Sequence, residues 1–224
     1  MRFIWWLISA ILNGKNDFLL SICISIHFTM STTTSSIATS IEEWETEGFP
    51  VNTTITEIDL SCHFLTEIPR QLENLKNLKN LRLCDNHLTE LPDFIGSFEH
   101  LESLSFSANT ISSLPSTFGN LKSLKRLIIR DNEFESLSLP NLPALEFLDC
   151  TNNHISEISD SVGNMKALTT LILDNNNISS LPSSIQHLKN LKIFSINFNK
   201  RYPNNSDGDL QSREFETLWY QSKS

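Results

Sequence analysis

The sequence has no excess of positive charge. Its 224 residues include 17 lysines and arginines against 26 aspartates and glutamates, a formal net charge of −9. Nonspecific nucleic-acid binding draws most of its affinity from phosphate neutralisation by basic side chains. The acidic balance therefore argues against nucleic acid as a partner.

The sequence also has no paired-cysteine framework. Its four cysteines, Cys23, Cys62, Cys84 and Cys150, are spaced widely and irregularly. Small secreted domains that depend on disulfides usually show cysteines in a closely spaced, paired pattern. The spacing favours reduced thiols in a cytosolic protein.

No apolar run is long enough to span a bilayer, which takes about 20 residues. One run extends from Phe3 to Leu12 and a second from Phe18 to Phe28, with a polar interruption between them. The first has the size of a signal-peptide core, but no convincing cleavage site follows it. Three alternatives stay open for residues 1–29: a signal or membrane anchor, a misplaced gene start upstream of Met30, or another role.

Motifs for catalysis and for metal binding are missing as well. The sequence contains no P-loop, kinase motif, G-x-S-x-G elbow, CxxC or HExxH. The closest potential metal-ligand pairs are Cys84 with His87 and Cys62 with His63, and their repeat positions do not converge. We expect no enzymatic activity, no cofactor and no metal site.

What the sequence does contain is a repeat with a fixed period. Successive units begin 23 residues apart, with one shorter step of 21, at Ile55, Leu78, Leu101, Leu124, Leu145, Leu168 and Leu191. Each unit follows L-x-x-L-x-L-x-x-N-x-L, with Ile or Phe allowed at the apolar positions. The fourth and sixth positions are two apart, so they point to one side of a short strand. This regularity predicts stacked units that share one core.

The ninth position of each unit predicts a second structural element. It is His63 in the first unit and asparagine in the other six: Asn86, Asn109, Asn132, Asn153, Asn176 and Asn199. An asparagine amide both donates and accepts hydrogen bonds, so a ladder of them can join backbone groups of neighbouring turns. We expect a structural role for these asparagines rather than a glycan or ligand site.

Over roughly residues 54–199 the chain resembles leucine-rich repeat proteins. The continuation in Leu91-Pro92 and Ile95-Gly96 is similar to an intracellular subgroup that includes Ras-pathway scaffolds, Scribble-type polarity proteins and plant Ras-group proteins. The resemblance implies an α/β solenoid, a curved right-handed arc with a parallel β-sheet on its concave face. Irregular, 3-10 or short helical segments are implied for the convex side. A small GTPase, a kinase or a phosphatase subunit is the kind of partner it implies.

Proline and glycine recur on the expected convex side. The prolines, which suit extended segments that need no N–H donor, are Pro69, Pro92, Pro115 and Pro182. The glycines, expected at tight turns with positive φ, are Gly96, Gly119 and Gly163. In the fourth unit residues 137–144 have lost two positions and gained a second proline, which predicts no helical turn there.

These patterns divide the chain into five parts. They are an apolar leader (1–29), a disordered Ser/Thr-rich stretch (30–39), an N-terminal capping helix (40–53), seven repeats (54–199), and a loop with a C-terminal capping helix (200–224). The first cap is predicted from the capping-box spacing of Ser40 and Glu43. The second is predicted from Phe215, Leu218 and Trp219 on one helical face.

Function is expected in strand residues that the repeat does not dictate. The third, fifth and seventh positions of each unit face the concave surface. From the fourth unit onward they carry apolar side chains beside charged ones: Arg126, Ile128, Arg130, Phe147, Asp149, Ile172 and Ile193. This mixture is typical of a protein-binding hot spot, although strand neighbours that merely pack on each other give the same pattern.

The sequence therefore predicts a monomeric, non-enzymatic adaptor or scaffold in intracellular signalling. It would hold a partner protein on its concave face. The alternative is a secreted or membrane-anchored recognition protein that residues 1–29 direct to the secretory pathway.

Overall fold

The computed structural model describes residues 55–200, so the leader, the Ser/Thr-rich stretch and both predicted caps lie outside the described residues. The strands are β1 (Glu57–Asp59), β2 (Asn80–Arg82), β3 (Ser103–Ser105), β4 (Arg126–Ile128), β5 (Ser136–Leu137), β6 (Phe147–Asp149), β7 (Glu157–Ile158), β8 (Thr170–Ile172) and β9 (Ile193–Ser195). The 3-10 helices are η1 (Arg70–Asn74), η2 (Asp93–Ser97), η3 (Ser116–Asn120), η4 (Asp160–Asn164) and η5 (Ser183–His187). Within 55–200 no helix has the length and apolarity needed to cross a bilayer.

Seven of the strands form one parallel sheet in the order β1-β2-β3-β4-β6-β8-β9. Equivalent positions of neighbouring units pair directly, as Leu81 pairs with Leu104 and Leu104 with Leu127. Each unit thus adds one strand, and backbone hydrogen bonds continue from unit to unit. The predicted solenoid with a parallel sheet is confirmed.

The apolar positions of all units form a single core. The first-position leucines Leu78, Leu101, Leu124, Leu145 and Leu168 are completely buried, and one cluster of buried residues runs from Ile55 to Leu191. Burying a leucine side chain stabilises a fold by about 1.5–3 kcal/mol. No unit could bury its own leucines without the next, which explains why the units stack.

The ninth-position asparagines join neighbouring units through their amides. The Asn86 Oδ1 accepts the backbone N–H of Leu65 at 2.9 Å, while its Nδ2 donates to the carbonyls of Leu60 at 2.8 Å and Leu83 at 3.0 Å. The same three contacts recur at Asn109, Asn132, Asn153, Asn176 and Asn199. These side chains satisfy buried backbone groups, so their role is structural.

The residue before each ladder position adopts a left-handed conformation. The φ angles at Cys62, Asp85, Ala108, Asp131, Asn152, Asn175 and Phe198 lie between 53° and 61°. This conformation turns the chain sharply out of the strand. Aspartate and asparagine tolerate it well, and their recurrence at the eighth position was a signal that the sequence reasoning missed.

Behind the sheet, prolines precede four of the five 3-10 helices within residues 55–200. Pro69, Pro92, Pro115 and Pro182 are the N-cap residues of η1, η2, η3 and η5, with φ between −55° and −70°. Ser159 replaces proline before η4, and its hydroxyl accepts the Ser161 N–H at 3.3 Å. A fixed φ near this value is what proline supplies.

The expectation for the glycines is wrong, because none of Gly96, Gly119 and Gly163 has a positive φ. A Cβ on Gly96 would lie 2.4 Å from the carbonyl oxygen of Thr117, and one on Gly163 would lie 2.6 Å from that of Ser184. These two glycines are therefore required by the close approach of neighbouring 3-10 helices.

The shortened fourth unit contains no helix, which confirms that prediction. Just before the place where a helix would stand, β5 pairs in parallel with β7 of the next unit, Leu137 opposite Ile158. This second, two-stranded sheet was not expected from the sequence.

Candidate protein-binding surface

The outward face of the seven-stranded sheet is a grid of side chains. Its columns are the strands, and its rows are the third, fifth and seventh positions of the units. The third-position row, in register, reads Glu57, Asn80, Ser103, Arg126, Phe147, Thr170 and Ile193. The fifth-position row reads Asp59, Arg82, Ser105, Ile128, Asp149, Ile172 and Ser195. We call the columns of β1–β3 the N-terminal face and those of β4, β6, β8 and β9 the C-terminal face.

The N-terminal face is polar, and its side chains bind each other. Asn80 Nδ2 donates to Glu57 Oε1 at 2.9 Å, and the Arg82 guanidinium lies 3.7 Å from the Asp59 carboxylate. Cys84 Sγ and Ser105 Oγ are 2.9 Å apart. Because these polar groups already have partners, this face offers a partner protein few unsatisfied contacts.

The C-terminal face centres on Arg126 and Phe147. The guanidinium carbon of Arg126 lies 3.8 Å from the centre of the Phe147 ring, which is a close cation–π arrangement. Arg126 is exposed, and no carboxylate among residues 55–200 forms an ion pair with it. The ring holds the guanidinium in place while its N–H groups remain accessible.

Arg130 and Asp149 form the other charged pair of this face. Arg130 Nε lies 3.9 Å from Asp149 Oδ2. Asp149 is only 7% exposed, and its Oδ1 accepts the Thr151 N–H at 3.0 Å and the Thr151 hydroxyl at 2.6 Å. Unlike the other six predicted site residues, Asp149 is thus buried: it orders the chain after β6 and faces Arg130 instead of forming contact surface.

Four apolar side chains complete the C-terminal face. Ile128, Phe147 and Ile172 are half-buried, and Ile193 is 56% exposed. They alternate between the fifth-position row and the third-position row from one strand to the next, so they form a zigzag across the four columns. Strand neighbours pack on one another here and still leave apolar area accessible.

Two exposed aromatic residues were missed by the sequence reasoning. Phe64 is 71% exposed and Phe198 is 82% exposed, and both have positive φ. The Phe64 ring lies 5.8 Å from the His87 ring in the next unit. The available signal was an aromatic residue at positions that are polar in most other units.

Within the described part of the chain, the cysteines and histidines do not gather into a metal site. Among residues 55–200, no three potential ligands from His, Cys, Asp and Glu lie close enough to hold an ion. Cys62 is exposed and Cys84 half-buried, while Cys150 lies in the core. Burial raises the pKa of the Cys150 thiol well above its ordinary value, so this thiol stays protonated and unreactive.

Alternating charges line the edge where the strands begin. The Glu102 carboxylate lies 2.6 Å from the Lys125 ammonium and 4.0 Å from that of Lys79. The hydrogen bond from Lys125 is the main reason that the pKa of Glu102 is lowered. All three side chains are accessible to solvent, and we call this edge beside the grid the charged rim.

Comparisons with known proteins bear on the fold. The family model for leucine-rich repeat regions matches residues 58–149 and 131–224. An internalin (inlF) from Listeria monocytogenes is similar at 24% identity and a TM-score of 0.59, over 66% of this chain and 43% of that one. The leucine-rich repeat domain of the type III effector XopL is similar at 25% identity and a TM-score of 0.62, over 66% and 54%.

Both matches extend over about half of the larger proteins, and they support the solenoid architecture. No curated protein matches the chain significantly in sequence. Neither the family model nor these structures single out the Ras-scaffold or Scribble-like subgroup.

Proposed function

The chain belongs to the leucine-rich repeat family, and from that premise we propose that it is a protein-interaction module whose C-terminal face holds a partner protein. The observation that carries the proposal is Arg126, exposed and stacked 3.8 Å over Phe147. An ordered arginine beside an aromatic ring and aliphatic side chains is the usual composition of a binding hot spot. Proteins of this fold typically act as non-enzymatic interaction scaffolds.

The dimensions of the sheet suit a protein partner. Strands in one sheet lie about 4.8 Å apart, so the seven columns extend about 30 Å. An interface of standard size buries about 800 Å² on each partner. The whole grid supplies a surface of this order without a deep pocket, with the C-terminal face as the hot spot and the other columns as energetically near-neutral contacts around it. This shape favours a macromolecule over a small ligand.

We also propose an intracellular role, as a monomeric adaptor or scaffold in signalling. The Leu-Pro and Ile-Gly continuation of the units and the lack of paired cysteines support this role. A small GTPase, a kinase or a phosphatase subunit would be the partner if the chain shares the biology of the Ras-scaffold or Scribble-like subgroup.

The apolar run from Phe3 to Leu12 favours a second candidate, a secreted or membrane-anchored recognition protein. A fluorescent protein joined to the C-terminus of the full chain, and separately to a chain starting at Met30, distinguishes the two. Cytosolic fluorescence from both forms supports the adaptor. Fluorescence in the secretory pathway from the longer form alone supports the second candidate.

The proposed binding face is tested by a matched pair of double variants. Arg126→Glu with Phe147→Ala alters the C-terminal face, and Arg82→Glu with Asn80→Ala alters the N-terminal face. We expect the first pair to weaken capture of the partner by about 30-fold or more, since hot-spot residues contribute about 2 kcal/mol or more. The second pair should leave capture unchanged.

Circular dichroism serves as the folding control for both double variants. Their spectra and melting temperatures should stay close to those of the unaltered chain, because none of the four side chains belongs to the core. Undiminished capture by the variant of Arg126 and Phe147 would place the binding site elsewhere on the molecule.

A further inference from the structure

We propose that the C-terminal face binds an extended segment of the partner with a defined spacing. The segment carries an aspartate or glutamate, followed by large apolar residues at the second and fourth positions after it. This inference rests on the proposed function and adds the chemistry that the face recognises.

The charges of this face are separated along it. Its charged side chains at the third, fifth and seventh positions are Arg126, Arg130, Asp149 and Asp174. Arg130 faces the buried Asp149 carboxylate, so their charges largely offset each other. Asp174 accepts the Ser195 hydroxyl at 2.7 Å and the Asn197 N–H at 2.6 Å, at the far end of the face. A complementary segment therefore places its negative charge over β4, at Arg126.

The geometry of Arg126 favours a carboxylate. A guanidinium is a planar fork that binds planar oxyanions through two parallel hydrogen bonds, and the Phe147 ring fixes its plane. Of the two arginines of this face, Arg126 is the one whose charge no carboxylate among residues 55–200 offsets, because Asp149 faces Arg130. One positive charge matches a carboxylate better than a phosphoryl group, which carries about −1.5 to −2.

The spacing of the apolar side chains sets the rest of the motif. Columns lie about 4.8 Å apart, so the step from Arg126 to Ile193 covers about 14 Å across the strands. In an extended peptide every second side chain points to the same side, and these side chains lie about 6.7 Å apart. With its acid at Arg126, the next such side chain falls between Phe147 and Ile172, and the one after that reaches Ile193.

An extended segment also fits the width of the apolar zigzag. Its two rows are two residues apart along the strands, about 7 Å. An α-helix with side chains is about 10–12 Å across and would also lie on the polar seventh-position row of Arg130, Thr151, Asp174 and Asn197. The width therefore favours an extended chain that crosses the strands from β4 to β9.

Selection from a displayed library of random 12-residue peptides on the full chain tests the spacing. We expect enrichment of an acidic residue followed by apolar residues two and four positions later. Selection on the Arg126→Gln chain should keep the apolar pair and lose the acid. Enriched peptides with helical spacing of three or four, peptides without an acid, or no enriched peptide would each overturn the proposal.

Fluorescence anisotropy with the enriched peptide tests the charge. Replacing its acid with glutamine, or Arg126 with glutamine in the full chain, should weaken binding about tenfold, because each removes one charge-assisted contact. Arg82→Gln is the matched control and should leave binding unchanged, since Arg82 already pairs with Asp59. Tighter binding of a phosphoserine version of the peptide would show that the carboxylate assignment is wrong.

The binding face and the extended segment can be disproved separately. If capture of the partner depends on Arg126 and Phe147 but selection yields no such peptide, the extended segment is wrong and the binding face stands. If capture does not depend on these two residues, the binding face itself is wrong, whatever peptides are enriched.

Discussion

Strands β1–β3 and strands β4, β6, β8 and β9 belong to one sheet, with one pairing register and one leucine core, yet their outer faces differ. On the N-terminal face, polar side chains form pairs with each other, such as Arg82 with Asp59. On the C-terminal face Arg126 has an aromatic neighbour and no carboxylate partner among residues 55–200. Stability thus resides in positions that recur, whereas the recognition we propose uses positions that vary, so the two should respond to different substitutions.

Removing a core leucine should affect both halves of the sheet alike. Leu104 and Leu171 occupy the same repeat position in β3 and β8, and both are completely buried. We expect Leu104→Ala and Leu171→Ala each to lower the free energy of unfolding by about 2–5 kcal/mol. Urea denaturation followed by circular dichroism measures this. A loss confined to one of the two variants would contradict a single shared core.

Glycine substitutions compare the N-terminal and C-terminal units behind the sheet, where the 3-10 helices lie. Gly96→Ala and Gly163→Ala should each destabilise by about 1–3 kcal/mol, since the added methyl group meets a backbone oxygen of the next unit. Gly119→Ala is the control and should cost less, because its Cβ would lie 3.1 Å from Pro140 Cβ. Thermal melts of the three variants measure the order. Equal losses at all three glycines would contradict the steric explanation.

The smallest expected effect concerns the charged rim. The hydrogen bond from Lys125 lowers the pKa of Glu102 in the folded chain, so its contribution to stability is present above the ordinary carboxyl pKa. That contribution is lost as the pH falls through the lowered value. Lys125→Gln should return the Glu102 titration, followed by NMR, towards its ordinary midpoint.

Lys122→Gln is the control for this titration, because the Lys122 ammonium binds the Asn141 carbonyl instead. It should leave the midpoint of Glu102 unchanged. Neither lysine variant should alter partner capture, since both side chains lie outside the C-terminal face. An unchanged Glu102 titration in Lys125→Gln would show that the hydrogen bond does not form in solution.

The fold was predictable because each of its rules is local and repeated. Leucines at fixed spacing specify the strand and the core, and an asparagine at the ninth position specifies the connection between turns. The glycines were misinterpreted because a positive φ and a close approach both favour glycine. The φ angle of Gly96 and its distance to Thr117 in the next unit separate these explanations, and neither can be read from the sequence. The pairing of β5 with β7 likewise depends on how two irregular units meet.

For the candidate site, the sequence predicted which side chains share the outer face of the sheet, and less of their geometry. The repeat register places Arg126 beside both Ser103 and Phe147, and the choice of neighbour depends on a side-chain rotamer. Burial of Asp149 also escaped sequence reasoning, because its partner Thr151 lies just beyond the strand. The partner itself still has to be found by experiment.

Each ladder asparagine donates hydrogen bonds to a backbone carbonyl of the preceding unit and to one of its own unit, as Asn109 does to Leu83 and Phe106. A unit inserted between two others would bring one half of this connection and receive the other from its neighbours. Arrays built this way can lengthen through duplication of whole 23-residue segments, because the same hydrogen bonds then join the new unit to its neighbours. Each duplication would lengthen the outer face of the sheet by one strand, about 4.8 Å. The length of this face can therefore evolve in equal steps.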